Sequence, residues 1–210
     1  MMISQKSSHV ITYFNEILSD AKCALNYTKD YELVIAVMLS AQTTDKAVNN
    51  VTKGLFEKYQ TLESFATANL LDIENEIKSL GLYKNKAKNI ILLTNKILNE
   101  YDGKVPNSFS KLISLEGVGR KTANVVLCEL FQKDEFPVDT HINRIAKRLG
   151  YAKEDDTVLQ VEMKLRKSFP KEAYIKLHHQ FIHFGRQICK SSNPKCENCQ
   201  LKTYCKYFNK

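Results

Sequence analysis

Apolar residues recur at three- and four-residue steps through nearly all of these 210 residues, and this periodicity constrains the fold more than any other feature. Val10, Phe14, Ile17, Leu18 and Ala21 follow it, as do Ala87, Ile90, Ile91, Thr94, Ile97, Leu98 and Tyr101. Ile142, Ile145, Ala146 and Leu149 make a third stripe that Gly150 is placed to end; Val158, Val161, Leu165 and Phe169 make a fourth, stopped by Pro170. The run 33–39 (LVIAVML) is apolar on every side, which suits a buried central helix. Val34, Ile35 and Val37 would also suit a strand, but no hairpin signal flanks them. No alternating strand pair occurs, so the pattern predicts an all-α fold. Turns are expected at 102–106 (DGKVP) and at Phe136-Pro137.

A chain of this length makes one large domain or two small ones sharing a cleft. With 43% hydrophobic residues it can bury a core, which excludes global disorder. Lys and Arg number 31 against 23 Asp and Glu, a net charge of +8 that favours a polyanionic partner, nucleic acid or an anionic membrane surface. The 33–39 run is far shorter than the about 20 residues a membrane span needs. The N-terminal MMISQKSSH has no apolar core or cleavage site, so no secretory signal is read and a cytoplasmic location is expected. In that reducing compartment the 6 cysteines are expected to be core residues or metal ligands rather than disulfides.

Composition shifts after residue 188, where Cys, Lys, Asn and Ser replace aliphatics. Cys189, Cys196, Cys199 and Cys205 are spaced C-x6-C-x2-C-x5-C, a four-thiolate set for a [4Fe–4S] cluster or a tetrahedral zinc. Zinc modules mostly use two CxxC knuckles with a longer insert, whereas only Cys196 and Cys199 make such a pair here. One loop winding around a bulky cluster explains the compact spacing better, with zinc as the alternative. Cys23 and Cys128 sit in apolar helical surroundings and read as small buried hydrophobes. His179 and His183 could ligate a metal with Cys189, but the four-Cys set is complete without them; they read as structural or surface residues. Lys190, Lys195, Lys202 and Lys206 alternate with the cysteines. They are solvated charges or, on a stiffened loop, a phosphate-contacting edge; Lys190 and Lys195 are the candidates for DNA contact.

Residues 108–115 (SFSKLISL) read as a short helix, Glu116-Gly117-Val118-Gly119 as a tight turn, and 120–131 as a second helix. Gly117 and Gly119 let backbone N–H groups point outward, and with the positive end of the following helix they can hold a phosphate. Alone, that could be a plain helix-joining turn. Lys121 falls in the first turn of the second helix, where the dipole disfavours a cation and partial burial would lower its pKa further, making it a candidate amine nucleophile or a phosphate-contacting lysine. Asp139, in 138–141 (VDTH), directly precedes a helical stripe and could serve as an N-cap, as a carboxylate at a cleft edge, or as both.

Taken together, 115–126 (LEGVGRKTANVV), 138–141 and the C-x6-C-x2-C-x5-C tail resemble the endonuclease III family of helix-hairpin-helix DNA glycosylases. The segments 39–45 (LSAQTTD) and 81–87 (GLYKNKA) match the same family, and the likeness runs from about residue 30 to the C-terminus. The resemblance implies two helical domains flanking an active-site groove: a six-helix barrel with the hairpin over 23–133, and an iron–sulfur cluster domain from 1–22 with 134–210. It makes Lys121 the Schiff-base nucleophile and Asp139 its activating carboxylate. Gln42 and Leu82 become the residues that fill the duplex gap left by an extruded nucleotide, and His141 matches a position near the site. Cys189, Cys196, Cys199 and Cys205 would hold a [4Fe–4S] cluster. Glu116 departs from the family's usual proline, giving up a preset backbone dihedral and adding negative charge near a phosphate site, so somewhat weaker DNA binding is expected.

The implied activity is that of a bifunctional DNA glycosylase and abasic-site lyase of base excision repair. It would act as a cytoplasmic, nucleoid-associated monomer on double-stranded DNA containing damaged bases or abasic sites. Lys121 would attack C1′ as an oxidised pyrimidine leaves, and β-elimination would cut the strand 3′ to the lesion. A non-catalytic helix-hairpin-helix DNA-binding protein would need neither Lys121 nor Asp139, and a glycosylase that uses water would not need Lys121. The same lysine sets the chain apart from adenine mismatch glycosylases.

Overall fold

Every regular element among the described residues, 3–209 of this computed structural model, is helical, with no strand among them. None of the helices is long and apolar enough to cross a membrane. The chain divides into two compact units, Ala24–Phe131 and a discontinuous one made of Met1–Cys23 with Gln132–Lys210.

In chain order the helices are α1 (Gln5–Ile17), α2 (Asp30–Leu39), α3 (Asp45–Lys58), α4 (Leu62–Ala66), α5 (Leu70–Ile77), α6 (Tyr83–Glu100), α7 (Phe109–Leu112), α8 (Arg120–Phe131), α9 (Thr140–Arg148), α10 (Val158–Ser168) and α11 (Tyr174–Gln187). The first unit is built around α2, which packs against α3, α6 and α8. Residues 33–39 are buried on every side, as the unbroken apolar run predicts, and each side chain contributes about 1.5–3 kcal/mol by leaving water. Truncating Leu39 to Ala would remove roughly 2–5 kcal/mol. The buried Glu32 starts this helix: its carboxylate accepts from the Thr28 and Lys29 N–H groups, at 2.7 and 3.1 Å, and from the Thr28 hydroxyl at 2.9 Å. Thr44, Thr61, Asn69 and Ser108 cap α3, α4, α5 and α7 with their side-chain oxygens, which is why those helices begin where they do. The Asp102-Gly103 turn forms as expected, both residues having positive φ.

The discontinuous unit has an aromatic core. Phe14 of α1 meets Phe181 and Phe184 of α11 at ring separations of 4.9 Å each. Gln180 donates to the Leu18 carbonyl at 3.2 Å and Lys6 to the Leu149 carbonyl at 3.0 Å, tying the N-terminal helix to the C-terminal half. Helix α9 ends as Gly150 predicts: at φ +69° its N–H donates to Lys147, and the Tyr151 N–H closes back on the Ala146 carbonyl at 2.8 Å.

Four expectations need correction. Helix α1 stops at Ile17, so Leu18 is its C-cap and Ala21 lies beyond it, yet Leu18 stays buried because the turn folds it back onto the core. Helix α7 covers only Phe109–Leu112, since its end must bend at once into the Glu116–Gly119 turn. Val158 is exposed although it completes the α10 stripe, because the first turn of that helix overhangs the core. Cys128 is buried as predicted, whereas Cys23 is only half-buried.

Candidate active site and nucleic-acid interface

The hairpin is made by α7, the turn at 116–119 and α8. Gly117 sits at φ +77°, and a Cβ there would come within 2.7 Å of Asn89 Nδ2 and 3.0 Å of Met38 Cγ. Only glycine satisfies both demands, because the turn folds directly onto α2 and α6. Gly119 faces open space and its carbonyl accepts the Ala123 N–H at 2.9 Å, so it opens α8. The first N–H groups of that helix have no acceptor within the helix. Arg120 lies 5.1 Å from the Phe109 ring centroid, bracing the two helices against each other. Lys121 stands exposed in the first turn, without the partial burial considered from sequence. One carboxylate oxygen of Glu116 is buried without a hydrogen-bond partner.

Gln42 and Leu82 belong to the same unit and share an unusual backbone. Both lie in the left-handed region, at φ 56° and φ 60°, where non-glycine residues cost of order 1–3 kcal/mol. Both are exposed, Leu82 to 58%, as side chains presented outward on strained loop tips would be. Gln42 follows the end of α2, and Leu82 is the N-cap of α6. Between them lies Lys86, whose ammonium donates to the Ala41 carbonyl at 3.0 Å and to Thr43 Oγ1 at 3.1 Å.

Asp139, in the discontinuous unit, is the N-cap of α9: its Oδ1 accepts the Ile142 N–H at 2.8 Å. The approach to it is pinned where Pro137 O meets His178 Nδ1 at 2.8 Å. The carboxylate is therefore held rigidly, with its other oxygen outside that bond. His141, half-buried two residues along, has its Nδ1 3.2 Å from an Arg144 nitrogen. Arg144 also donates to the carbonyls of Gly185 and Cys189, at 3.1 and 2.8 Å. At the far end of the same helix, Arg148 donates to Cys189 Sγ at 3.4 Å, Lys190 O at 2.7 Å and Ser191 O at 3.1 Å. Helix α9 thus carries Asp139 at one end and grips the cysteine loop from the other.

Cys189, Cys196, Cys199 and Cys205 all line one small, partly open cavity, with Arg148, Lys195, Pro194 and Tyr207 in its wall. Burial, and then the neighbouring thiols, push the Cys196 and Cys199 thiols up. The Ile188 carbonyl accepts both the Lys190 and the Lys195 N–H at 3.0 Å, pinching the loop so that these two exposed lysines start from one anchor. Lys202 and Lys206 are exposed as well, and the Lys206 side chain packs where a Cβ on Gly150 would fall. His179 is buried and His183 half-buried, and neither lines the cysteine cavity.

Sequence reasoning assigned no role to Lys86, Arg144, Arg148 or His178. Arg144 and Arg148 stand four apart on one face of α9, a spacing that could have flagged them as a pair.

Residues 35–171 match the profile of the HhH-GPD superfamily of base excision DNA repair proteins. The chain is 46% identical to endonuclease III of Bacillus subtilis (strain 168) over 91% of its length and 87% of that protein. It is 43% identical to endonuclease III of Rickettsia felis over 99% of its length and 97% of the relative. Its fold matches a trapped endonuclease III–DNA covalent intermediate with a TM-score of 0.94 and 44% identity, covering 100% of this chain and 98% of that one. The chain belongs to the endonuclease III family of the HhH-GPD superfamily, and is a base excision repair DNA glycosylase with abasic-site lyase activity.

Proposed function

We propose that this enzyme removes oxidised pyrimidines from double-stranded DNA, with Lys121 as nucleophile and Asp139 as its proton acceptor. The observation that carries the reading is the exposed Lys121 amine in the first turn of α8, directly behind the Gly117–Gly119 turn. A nucleotide must first leave the stack, which costs a few kcal/mol and is easiest for a damaged base. Gln42 and Leu82 fill the gap it leaves. The Lys121 amine then bonds to C1′ as the C1′–N glycosidic bond breaks and its electron pair leaves with the base. Asp139 accepts the proton that the amine loses. Ring opening gives an imine that acidifies the C2′ proton. Loss of that proton breaks the C3′–O bond, and the 3′ phosphate departs. Gly117, Gly119, Lys190 and Lys195 hold phosphates, and His141 flanks the aspartate.

The unit of residues 24–131 serves as the barrel domain and the discontinuous unit as the cluster domain; the enzyme works as a monomer, in the cytoplasm at the nucleoid. The cysteine donor set fits a [4Fe–4S] cluster. All four thiols line one cavity. Cys189, Cys196, Cys199 and Cys205 would hold the cluster, and when bound it stiffens the loop that presents Lys190 and Lys195.

Borohydride present during turnover tests the reading by reducing the imine to a stable amine. The expected result is a protein–DNA adduct that requires a damaged base or an abasic site and maps to Lys121. Lys121→Gln should give neither adduct nor strand cleavage, yet still bind lesion DNA. Base release without any adduct would instead mark a glycosylase that uses water, and neither product across a broad lesion panel would leave only a DNA-binding module.

A further inference from the structure

The reaction as set out above has no use for Lys86, a cation buried to 4% exposure in the first turn of α6. Its position is unfavourable twice over. Burial pushes its pKa below the ordinary lysine range, and the positive end of the helix dipole opposes it further. Its partners are neutral: the ammonium donates to the Ala41 carbonyl and to Thr43 Oγ1, the residues on either side of Gln42. Its own N–H donates to the Leu82 carbonyl at 3.0 Å. One residue is therefore bonded through its main chain to Leu82 and through its side chain to both neighbours of Gln42. Gln42 and Leu82 are both exposed and held at left-handed φ, a conformation that persists only where the surroundings over-determine it.

We propose that Lys86 is a positioning residue that fixes the spacing of Gln42 and Leu82 for their joint entry into the duplex. The inference rests on the gap-filling roles given to those two residues above. An apolar side chain of similar length fills the same volume but donates to neither oxygen. The loop after α2 would then lose its tie to α6, and the two side chains would enter the helix independently.

The test compares two forms of one abasic oligonucleotide, paired and single-stranded, cleaved by the full-length holoenzyme. A single strand has no opposite base and so no gap to fill. Lys86→Met should lower the ratio of duplex to single-strand cleavage rates about tenfold or more, since misplacement by an ångström is enough for losses of that size. Its melting temperature should stay the same or rise, because replacing a buried charge with an apolar group of like volume is often neutral or stabilising. The fluorescence rise of 2-aminopurine opposite the abasic site on binding should shrink as well. An unchanged ratio, or equal losses on both substrates, overturns the proposal. If Lys86→Met does not fold, Thr43→Val removes one acceptor and should lower the same ratio by a smaller factor; no change there also overturns it. Leu82→Ala and Gln42→Ala separate the two levels of the argument. If neither lowers the ratio, gap filling fails and takes this inference with it. If both lower it and Lys86→Met does not, only the role of Lys86 fails.

Discussion

The guanidinium of Arg148 donates to the Cys189 sulfur at 3.4 Å while reaching the carbonyls of the next two residues, and it stands 4.1 Å from the Tyr207 ring centroid. One side chain thus fixes where the cysteine loop leaves α11 and where the C-terminal tail closes over it. Arg148→Gln should weaken metal retention by roughly 10–100-fold, the usual effect of losing a group that orients a ligand. Arg148→Lys should not rescue it, since a point charge cannot serve three acceptors in a fixed fork. Iron per chain and the rate of bleaching by a chelator measure this; wild-type values for both in Arg148→Gln would show the contact to be incidental.

Asp139 caps α9, and substitution can separate that cap from the catalytic role proposed for it. Asparagine caps a helix as well as aspartate does, so Asp139→Asn should keep the melting temperature while turnover falls about 10²–10⁴-fold. Asp139→Ala should lose the same activity and about 1 kcal/mol of stability besides. Thermal melts beside single-turnover kinetics on a lesion duplex give the comparison. Full activity in Asp139→Asn would reduce Asp139 to a cap.

Lys190 and Lys195 leave a common anchor at the Ile188 carbonyl and are both exposed. If each neutralises a phosphate, the slope of log affinity against log salt for undamaged duplex should fall by about one unit in Lys190→Ala or Lys195→Ala. Fluorescence anisotropy over a salt series reads this directly. Two unchanged slopes would make these lysines solubilising charges only.

Much of this was legible in the sequence because helices announce themselves by period. The stripes at 87–101, 142–149 and 161–169 fall on α6, α9 and α10, and Gly150 ends α9 through the left-handed geometry that glycine favours. Asp139 was readable as a cap because capping is local: the bond spans three residues. The unreadable contacts are those in which a long side chain meets a distant main-chain oxygen. Lys86 meets Ala41, Arg144 meets Cys189 and Arg148 meets Lys190 through carbonyls that every residue possesses, so the acceptor leaves no trace in the sequence. The left-handed backbones of Gln42 and Leu82 were hidden for a related reason: neither position carries the glycine that would signal them. Burial of a Glu116 oxygen depends on how the turn lies against α2 and α6, which no local pattern encodes.

The discontinuity of the second unit bears on the order in which a nascent chain can mature. Helix α1 leaves the ribosome well before the partners of Phe14 and Lys6, which lie at residues 149–184. During synthesis the unit of residues 24–131 can close on its own core while α1 waits with Val10, Tyr13 and Phe14 uncovered. The cysteine loop emerges after its anchor, Arg148, which is by then already in place on α9. A ribosome stalled before α11 would release a chain with a finished hairpin unit and an exposed aromatic helix, a natural target for chaperones and proteases.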